Sequence, residues 1–472
     1  MIKPVILWTD ALIFILFAVV VAFILYARAK PHLRAPWQSV FSSRRAAASA
    51  VVLLAYVVIG FLDSLHFRLP LENNGTHTEV HYAVEVLSAL DYFVEPLRIQ
   101  EEKTYSAPFA THLYARETIQ HADGTQTRDY PRLEFGGRHL DEKGAGLRDD
   151  VIRRSVTALA WTLLAGTVLM LLICWRLARR NSQTWSVVFT AVIARRTAIP
   201  WLVIWATCTI LLLLFFCAIN LAGDYHIFGT DKVGQDVFYQ SLKSIRTGLV
   251  IGTLTTLVML PFAVLMGILA GYARGWIDDV IQYVYTTLNS IPHVLLIAAA
   301  ILMLQVYIAN HPDQFETTVE RADIRLLFLC IILGITSWTG LCRLLRGEAL
   351  KLRESEYIQA AVSFGVSHAK IITRHILPNV MHIVLITVVL DFSGLVLAEA
   401  VLSYVGVGVD PTMNSWGNMI NRARLEMARE PMVWWSLLSA FVFMFILVLA
   451  ANLFSDAVRD AFDPRLRNNQ TT

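Results

Sequence analysis

The sequence predicts an all-α polytopic membrane protein with about nine spanning helices and a small domain outside the membrane. Hydrophobic residues make up 56% of its 472 residues and charged residues only 16%. The mean hydropathy of +0.54 is likewise typical of an integral membrane protein. Apolar runs long enough to span recur along the chain. In lipid they must be helical, because no water is present to satisfy free backbone groups.

Composition and motif content disfavour several classes of function. The net charge of +3 is too small to indicate nucleic-acid binding, and the five cysteines show no paired spacing that would indicate a disulfide framework or a zinc site. No Gly-x-x-x-x-Gly-Lys-[Ser/Thr] phosphate-binding loop occurs. If ATP drives this protein, another chain must bind it, so we expect no cofactor on this chain.

Residues 1–62 are predicted to hold two N-terminal transmembrane helices, one over Ala11–Tyr26 and one over Ala46–Leu62. A cleavable signal peptide is the alternative for the first run. However, Lys3 is the only basic residue before that run, and the basic residues between positions 28 and 45 follow it. By the positive-inside rule this basic loop is cytoplasmic, which places the N-terminus outside.

Residues 63–154 are predicted to form an extracytoplasmic domain, because they are polar and contain no apolar run long enough to span. At about 90 residues the segment can bury a modest core of its own. Residues 110–119 and 133–137 have a mixed strand-like and turn-like composition. The histidines of the domain match no metal-ligand spacing, so we expect no metal site. They are His66, His77, His81, His112, His121 and His139.

Residues 155–198 are predicted to hold a transmembrane helix over Ala158–Trp175 and a second basic loop, which is cytoplasmic by the same rule. The run Ile199–Leu221 then returns outward. The remaining predicted spans are Gly248–Ala270, Val280–Val306, Ile324–Leu345, Ile383–Leu402 and Val433–Leu453. Glycines in these spans are expected to allow close helix packing, namely Gly248, Gly252, Gly267 and Gly394.

A polar stretch from Gly347 to Asn379 lies between two of these runs. One face of a short helix is predicted by residues at the spacing i, i+3, i+4 and i+7, namely Tyr357, Ala360, Ala361 and Phe364. Gly365 follows where a left-handed residue would end that helix, and Ser367 is placed to cap a second one. Because so short a helix cannot bury an apolar face alone, this face is predicted to dock into the groove of a partner.

The same stretch resembles the EAA loop of permease subunits of ABC importers, through Gln359-Ala-Ala-x-x-x-Gly365 and the following Leu377-Pro378. Gln359 replaces the usual glutamate, and His375 stands where isoleucine is common. The resemblance implies that residues 347–379 form a cytoplasmic coupling loop whose helix docks on an ATPase subunit. The coupling residues that it implies are Glu356, Tyr357, Gln359, Ala360, Ala361, Phe364 and Gly365.

Two further stretches resemble the C-type permeases of peptide importers. One is Gly-Thr-Asp-Lys-Val-Gly-Gln-Asp at residues 229–236, in which Gln235 takes a position usually held by arginine. The other is Ser-Trp-Gly at residues 415–417. The outer motifs of the family therefore correspond to Gly229, Thr230, Asp231, Gly234, Asp236, Ser415, Trp416 and Gly417. The resemblance extends over residues 199–467.

This resemblance implies the type I ABC importer transmembrane fold, with residues 199–467 as the permease domain, in a bacterial inner membrane. It implies a B-type permease as heterodimer partner, two ATP-binding subunits that carry ATP and Mg²⁺, and an extracytoplasmic substrate-binding protein. The lipid bilayer is the remaining partner, and no nucleic acid is expected. Peptides are the expected cargo. Because similar permeases carry nickel complexes or antimicrobial peptides, another small solute is the alternative.

Asp391 and Glu399 lie within one apolar run. An ionised carboxylate at mid-membrane costs roughly 2.5–3.5 kcal/mol even on insertion scales, so such groups usually face a cavity or a partner. We therefore interpret both residues as candidates for the translocation path or a subunit seam. For Glu399 a position near the outer interface is an equal alternative, whereas Asp391 lies about 12 Å deeper along the helix.

Other functional classes have little support in the sequence. The metalloprotease motif His-Glu-x-x-His and the hydrolase motif Gly-x-Ser-x-Gly are both absent, so we do not expect an enzyme. A stand-alone secondary transporter would show two related halves, and the halves of this chain do not match each other. A sensor would need a long cytoplasmic segment to receive the signal, and none is predicted.

Two alternatives are open for the role of residues 63–154. The domain either helps to dock the binding protein or gates the entry of substrate, or else it is a spacer or a stabilising cap. The docking alternative depends on aromatic side chains that are expected to be exposed. They are Tyr92, Phe93, Tyr105, Phe109 and Tyr114.

Overall fold

The computed structural model describes residues 3–71, 81–120, 126–141, 146–314 and 317–462. The helices of this part of the chain are α1 (Trp8–Ala29), α2 (Pro31–Ser42), α3 (Arg44–Asp63), α4 (Ala89–Phe93), α5 (Glu95–Ile99), α6 (Leu147–Asn181), α7 (Trp185–Ile193), α8 (Trp201–Ala222), α9 (Val237–Ala273), α10 (Trp276–Ser290), α11 (His293–Asn310), α12 (Thr318–Arg353), α13 (Glu356–Ser363), α14 (His368–Ile371), α15 (Leu377–Tyr404), α16 (Trp416–Glu426) and α17 (Trp435–Phe462). The strands are β1 (Lys3–Val5), β2 (His66–Arg68), β3 (Leu87–Ser88), β4 (Glu117–Gln120) and β5 (Gln126–Asp129).

Nine helices within the described ranges are long and apolar enough to cross a membrane. They are α1, α3, α6, α8, α9, α11, α12, the helix from His368 to Tyr404 that contains α14 and α15, and α17. The prediction of an all-α polytopic membrane protein is therefore confirmed.

The single span predicted over Val280–Val306 is wrong, because the structure divides it into α10 and α11. The break lies at Ile291, whose backbone is extended at φ −89° and ψ 129°, immediately before Pro292. The proline ring disfavours a helical conformation of the preceding residue and removes a backbone N–H, so the helix ends there.

The chain divides into two compact units. The first consists of Met1–Val5, Trp37–Thr247 and Asn414–Ala457. The second consists of Ile6–Pro36, Gly248–Met413 and Val458–Thr472.

In the first unit, α6 packs along α8, and α3 also contacts α8. A glycine permits the close approach of α6 and α8, since a Cβ on Gly166 would lie 3.3 Å from the side chain of Thr209. The Trp205 indole N–H donates to the Gly166 carbonyl at 2.7 Å. Close packing and hydrogen bonds of this kind hold helices together in lipid, where the hydrophobic effect does not drive their association.

The polar segment between α3 and α6 contributes β2 and β3 to an antiparallel sheet of order β1-β2-β3, and β4 and β5 form a separate hairpin. Of the mixed strand-like and turn-like segments, residues 110–119 enter a strand only at their end, where β4 begins at Glu117. Residues 133–137 form a bend and a turn. The backbone amides of residues 134–136 donate instead to the carboxylate of Glu102, at 2.9, 2.9 and 3.0 Å.

The aromatic side chains expected on the surface of this segment differ in exposure. Tyr92 and Phe93 on α4 are each 69% exposed, as expected. The expectation is wrong for Tyr105, which is buried beneath a guanidinium group. Phe109 and Tyr114 are half-buried. The exposed aromatic surface is therefore smaller than the sequence suggests.

The described ranges contain no candidate metal site and no disulfide bond. No group of three or more histidine, cysteine, aspartate or glutamate side chains there could hold a metal ion. All five cysteines carry free thiols. His77 and His121 lie outside the described residues.

In the second unit, α9, α11, α12 and α15 pack around two apolar clusters. A Cβ on Gly252 would lie 2.5 Å from the ring of Phe392, and one on Gly267 would lie 2.8 Å from the carbonyl oxygen of Cys342. The prediction of close packing is confirmed for these two glycines. It is wrong for Gly394, where a Cβ would meet nothing within 4 Å because this residue faces a cavity.

Candidate functional site

The short helix predicted within residues 347–379 is present as α13. Its end is closed by two backbone hydrogen bonds, from Gly365 N–H to the Val362 carbonyl at 2.9 Å and from Val366 N–H to the Ala361 carbonyl at 3.0 Å. This is the Schellman arrangement, in which the residue after the helix adopts a left-handed conformation. Gly365 does so with a φ of +71°, which confirms the prediction for that residue.

The side chains of α13 separate into an inward edge and an exposed face. Ile358 is fully buried, and Ala361 packs half-buried against the same apolar cluster of the second unit. Tyr357 is 46% exposed and Phe364 is 87% exposed, and Ala360 between them is exposed as well. Ala361 therefore faces the core of its own chain, and the surface free for a partner consists of the other three residues.

Polar residues complete the exposed surface of this loop. Glu356 and Gln359 are both exposed on α13. Ser367 precedes α14 as predicted, but its side chain makes no capping hydrogen bond. The loop helix thus presents an apolar centre within a polar rim, which is the usual anatomy of a protein interface.

Several contacts brace this loop against the end of α12 and the end of α9. The Tyr272 hydroxyl and the His368 Nδ1 are 2.7 Å apart, and the Arg353 guanidinium donates to the Tyr272 carbonyl at 2.7 Å. The Asn379 amide donates to the Tyr357 hydroxyl at 3.1 Å. These bonds join α9 to α12 and to α14, and they join α13 to the first turn of α15.

A bidentate ion pair joins α10 to α12 close to the same loop. Arg346 donates to the two carboxylate oxygens of Asp278 at 2.6 and 2.7 Å. These hydrogen bonds hold the pKa of Asp278 below its usual range, against the opposing effect of burial. Planar, bidentate pairs of this kind are the strongest salt bridges that side chains form.

The motif at residues 229–236 is a tight turn closed by its own side chains. Asp231 accepts the backbone amides of two later residues of the turn, both at 3.0 Å, and the side-chain amide of Gln240 at 2.7 Å. Gly229 and Gly234 have positive φ angles of +66° and +81°, a region that favours glycine. The sequence Gly-Thr-Asp-x-x-Gly-x-Asp therefore specifies this turn geometry.

Residues 101–109 of the polar segment lie directly along this turn. Thr230 N–H donates to the Ser106 carbonyl at 3.1 Å, and Ser106 N–H donates to the Thr230 hydroxyl at 2.7 Å. Glu102 N–H donates to the Gly234 carbonyl at 3.0 Å. Only glycine fits at position 234, because a Cβ there would lie 1.6 Å from the carbonyl oxygen of Glu102.

The two glutamines that depart from the expected motifs each have a local partner. The Gln359 side-chain amide donates to the Glu354 carbonyl at 3.2 Å. The Gln235 side-chain amide donates to the Glu101 carboxylate at 3.2 Å. Both departures are therefore accommodated within this chain.

A buried histidine joins the turn to residues 101–109. His226 is 2% exposed; its Nδ1 lies 2.8 Å from Asp236, and its Nε2 lies 3.4 Å from Glu102 without hydrogen-bond geometry. Burial alone would lower the pKa of His226, but the two carboxylates outweigh it and raise that pKa to about 9. The histidine is therefore a cation at neutral pH, held between two anions.

The motif at residues 415–417 is also built into the fold. Ser415 caps α16 by accepting the Asn418 N–H at 3.0 Å. Trp416 is 1% exposed and donates its indole N–H to the Ser241 carbonyl at 3.2 Å, and Gly417 is buried beside it. These residues position α16 and do not form a free binding surface.

The two carboxylates in α15 have different surroundings. Glu399 is 1% exposed and accepts a hydrogen bond from the Ser403 hydroxyl at 2.7 Å, one turn along the same helix. Asp391 is half-buried and lines a cavity with a volume of about 750 Å³. The structure therefore brings Asp391, and not Glu399, to an open space.

Sequence reasoning missed three residues that organise the motif at residues 229–236. Glu102, His226 and Trp435 belong to no recognised pattern, yet all three bind the turn at residues 229–236. The Trp435 indole N–H donates to the Thr230 carbonyl at 2.9 Å. No periodicity signals the contacts of Glu102 and Trp435, because these residues lie far from the turn along the chain. His226 lies close to the turn in sequence but outside the motif.

Comparison with known proteins gives a family match and a set of relatives. The family model described as binding-protein-dependent transport system inner membrane component matches residues 263–468. The oligopeptide transport system permease protein of Haemophilus influenzae is 30% identical over 243 residues, which cover 52% of this chain and 71% of that protein.

Two further relatives match a similar length of the chain. The oligopeptide transport system permease protein of Mycobacterium tuberculosis is 32% identical over 246 residues, 52% of this chain and 78% of that protein. The dipeptide transport system permease protein of Bacillus subtilis is 28% identical over 242 residues, 51% of this chain and 69% of that protein.

Proposed function

Because this chain belongs to the family of binding-protein-dependent transport system inner membrane components, we propose that it carries peptides, as one half of a translocation path. The chain is a transmembrane permease subunit of an ABC importer with the type I fold, and a multi-pass protein of the bacterial inner membrane. The names of its relatives, which include oligopeptide and dipeptide permeases, support a peptide cargo.

The proposed complex contains four further protein subunits by analogy with importers of this class. A B-type permease completes the path, two ATP-binding subunits carry ATP and Mg²⁺, and an extracytoplasmic binding protein delivers the cargo. The observation that supports this assembly is the exposed apolar face of α13, centred on Phe364. ATP hydrolysis belongs to the partner subunits in this proposal.

The energy is proposed to enter through α13 and to reach the cavity through α12. α12 is one continuous helix that lines the cavity at Ser337 and Gly340 and ends at Arg353, next to the loop that carries α13. A shift of α13 therefore moves the wall of the cavity. The Asp278–Arg346 pair makes α10 follow the same movement.

The sequence also allowed a different cargo and a different class of transporter. A nickel complex or an antimicrobial peptide in place of a short peptide would use the same subunit arrangement. A stand-alone secondary transporter is disfavoured, because the family is defined by dependence on a binding protein.

Uptake by cells tests the proposed cargo. A strain that lacks this permease and its sibling subunits is expected to take up radiolabelled trialanine more than tenfold faster when the whole gene set is restored. Nickel uptake in the same cells is the matched control and is expected not to change. Restored nickel uptake without trialanine uptake would contradict the peptide proposal.

Site-directed labelling tests the proposed orientation, with residues 63–154 outside and residues 347–375 inside. Thr118 on β4 and Ser367 before α14 are both exposed, whereas Ser106 is fully buried and unsuitable for labelling. In a variant without native cysteines, an impermeant maleimide is expected to label Thr118→Cys in intact cells and Ser367→Cys only after lysis. Labelling of Ser367→Cys in intact cells would reverse the orientation.

A further inference from the structure

The cavity beside Asp391 is formed by matching faces of two helices. Four residues of α12 that line it fall at i, i+3, i+4 and i+7, namely Ser337, Gly340, Leu341 and Leu344, and Arg343 lines it from the edge of that face. Four residues of α15 that line it have the same spacing, namely Thr387, Leu390, Asp391 and Gly394, and Leu395 lies next to them. One full face of each helix is therefore turned toward a single open space in the second unit.

This cavity contains one acidic and one basic side chain without partners. Among the described residues, neither Asp391 nor Arg343 forms a hydrogen bond or an ion pair, although both line the cavity. By contrast, Arg325 of the same unit is paired with Asp410 at 3.3 Å. Unpaired charges in membrane-spanning helices are costly, so a functional partner is expected to compensate them.

Two glycines, Gly340 and Gly394, leave part of the cavity lining without side chains. A Cβ on Gly340 or Gly394 would meet nothing within 4 Å, so neither residue is required for helix packing. Glycine lowers the stability of a helix relative to alanine, and here no close contact compensates for it. Their effect is to leave room beside Asp391 for a bound molecule.

We propose that Asp391 and Arg343 bind the two charged ends of a zwitterionic cargo, a peptide with a free α-ammonium group and a free α-carboxylate. This inference rests on the proposed peptide transport and adds the chemical requirement for both free ends. Asp391 accepts hydrogen bonds from the ammonium group, and Arg343 donates to the carboxylate, for which its planar guanidinium has matching geometry.

The remaining lining fits a site that holds peptide ends but tolerates different side chains. The hydroxyls of Ser337 and Thr387 offer hydrogen bonds to the peptide backbone. The other lining residues are mostly leucine and methionine, which form no directional contacts. Selection would therefore depend on the termini and not on the cargo's side chains.

Uptake of three probes by the complete importer tests this inference. Trialanine, its N-acetyl derivative and its C-terminal amide are compared in the wild type, in Asp391→Asn and in Arg343→Gln. Asp391→Asn is expected to slow uptake of trialanine about tenfold and to remove the preference for the free over the acetylated amine. Arg343→Gln is expected to remove the preference for the free acid over the amide. Asp279→Asn, an exposed carboxylate outside the cavity, is the matched control and should change neither ratio.

Each outcome separates this inference from the function on which it rests. If both variants transport trialanine and keep the wild-type preferences, the inference is overturned while peptide transport stands. If Asp391→Asn instead prevents co-purification with the sibling permease, Asp391 belongs to a subunit seam and the inference is again overturned. If the wild type takes up none of the probes, the peptide cargo fails and this inference fails with it.

Discussion

Replacing Phe364 by alanine is expected to reduce transport more than tenfold while leaving the permease folded. The ring is 87% exposed in the isolated chain, so its removal changes folding stability by less than about 0.5 kcal/mol. Burying such a ring against a partner contributes about 2 kcal/mol, and its loss weakens association roughly 30-fold. Co-purification of the ATPase subunits and peptide-dependent ATP hydrolysis measure the effect.

The control for this experiment is an aromatic side chain of similar exposure outside the loop. Trp276, at the start of α10, is 74% exposed, and Trp276→Ala is expected to retain full association. Ala361→Asp would be a poorer test, because Ala361 packs against its own core and a charge there would disturb the loop itself. Normal ATPase binding and normal transport by Phe364→Ala would show that α13 is not the coupling surface.

Raising the pH from 7 to 9.5 is expected to destabilise the wild-type protein by about 2 kcal/mol through His226 alone. The pKa of this histidine is about 9 in the folded protein against 6.5 in a free histidine, so folding favours its cationic form. A group whose pKa is raised by folding makes its full contribution to stability when the pH is below its pKa in the unfolded chain. That contribution is lost as the pH rises through about 9.

Thermal unfolding of the purified protein between pH 6 and pH 9.5 measures this dependence. His226→Gln is expected to be less stable at pH 7 and to lose most of the decline toward high pH. His293→Gln, a change at an exposed histidine that has no hydrogen-bond or ion-pair partner among the described residues, should keep the wild-type slope. A wild-type stability that does not change between pH 7 and pH 9.5 would argue against a cationic histidine in this cluster.

The contacts of this cluster bear on the effect of deleting the polar segment between α3 and α6. Removing residues 70–145 would also remove Glu102 and Ser106, which bind the turn at residues 229–236. His226 and Asp236 would then lose part of their shared ion pair. Loss of assembly after such a deletion would therefore follow from this contact alone. These bonds support the alternative of a stabilising cap for residues 101–109.

The sequence by itself determined the membrane architecture of this protein. An apolar run of sufficient length has only one stable conformation in lipid, so composition alone leads to helices. Local chemistry was equally decisive at Gly365, because a helix end that needs a left-handed residue favours glycine there. The motif at residues 229–236 likewise encodes its own turn, through Asp231 and two glycines. In each case the determining contacts lie within a few residues.

Only the tertiary structure decided which faces of these elements meet. Helical spacing placed Ala360 and Ala361 on one face of α13, yet one is exposed and the other packs against the core. Gly252 and Gly394 are both glycines in spanning helices, yet one lies against a phenylalanine ring and the other faces a cavity. Glu102 reaches His226 across more than 100 residues of chain. Periodicity gives the conformation of a segment, but the neighbour of each side chain depends on how distant segments pack, and that information is not local.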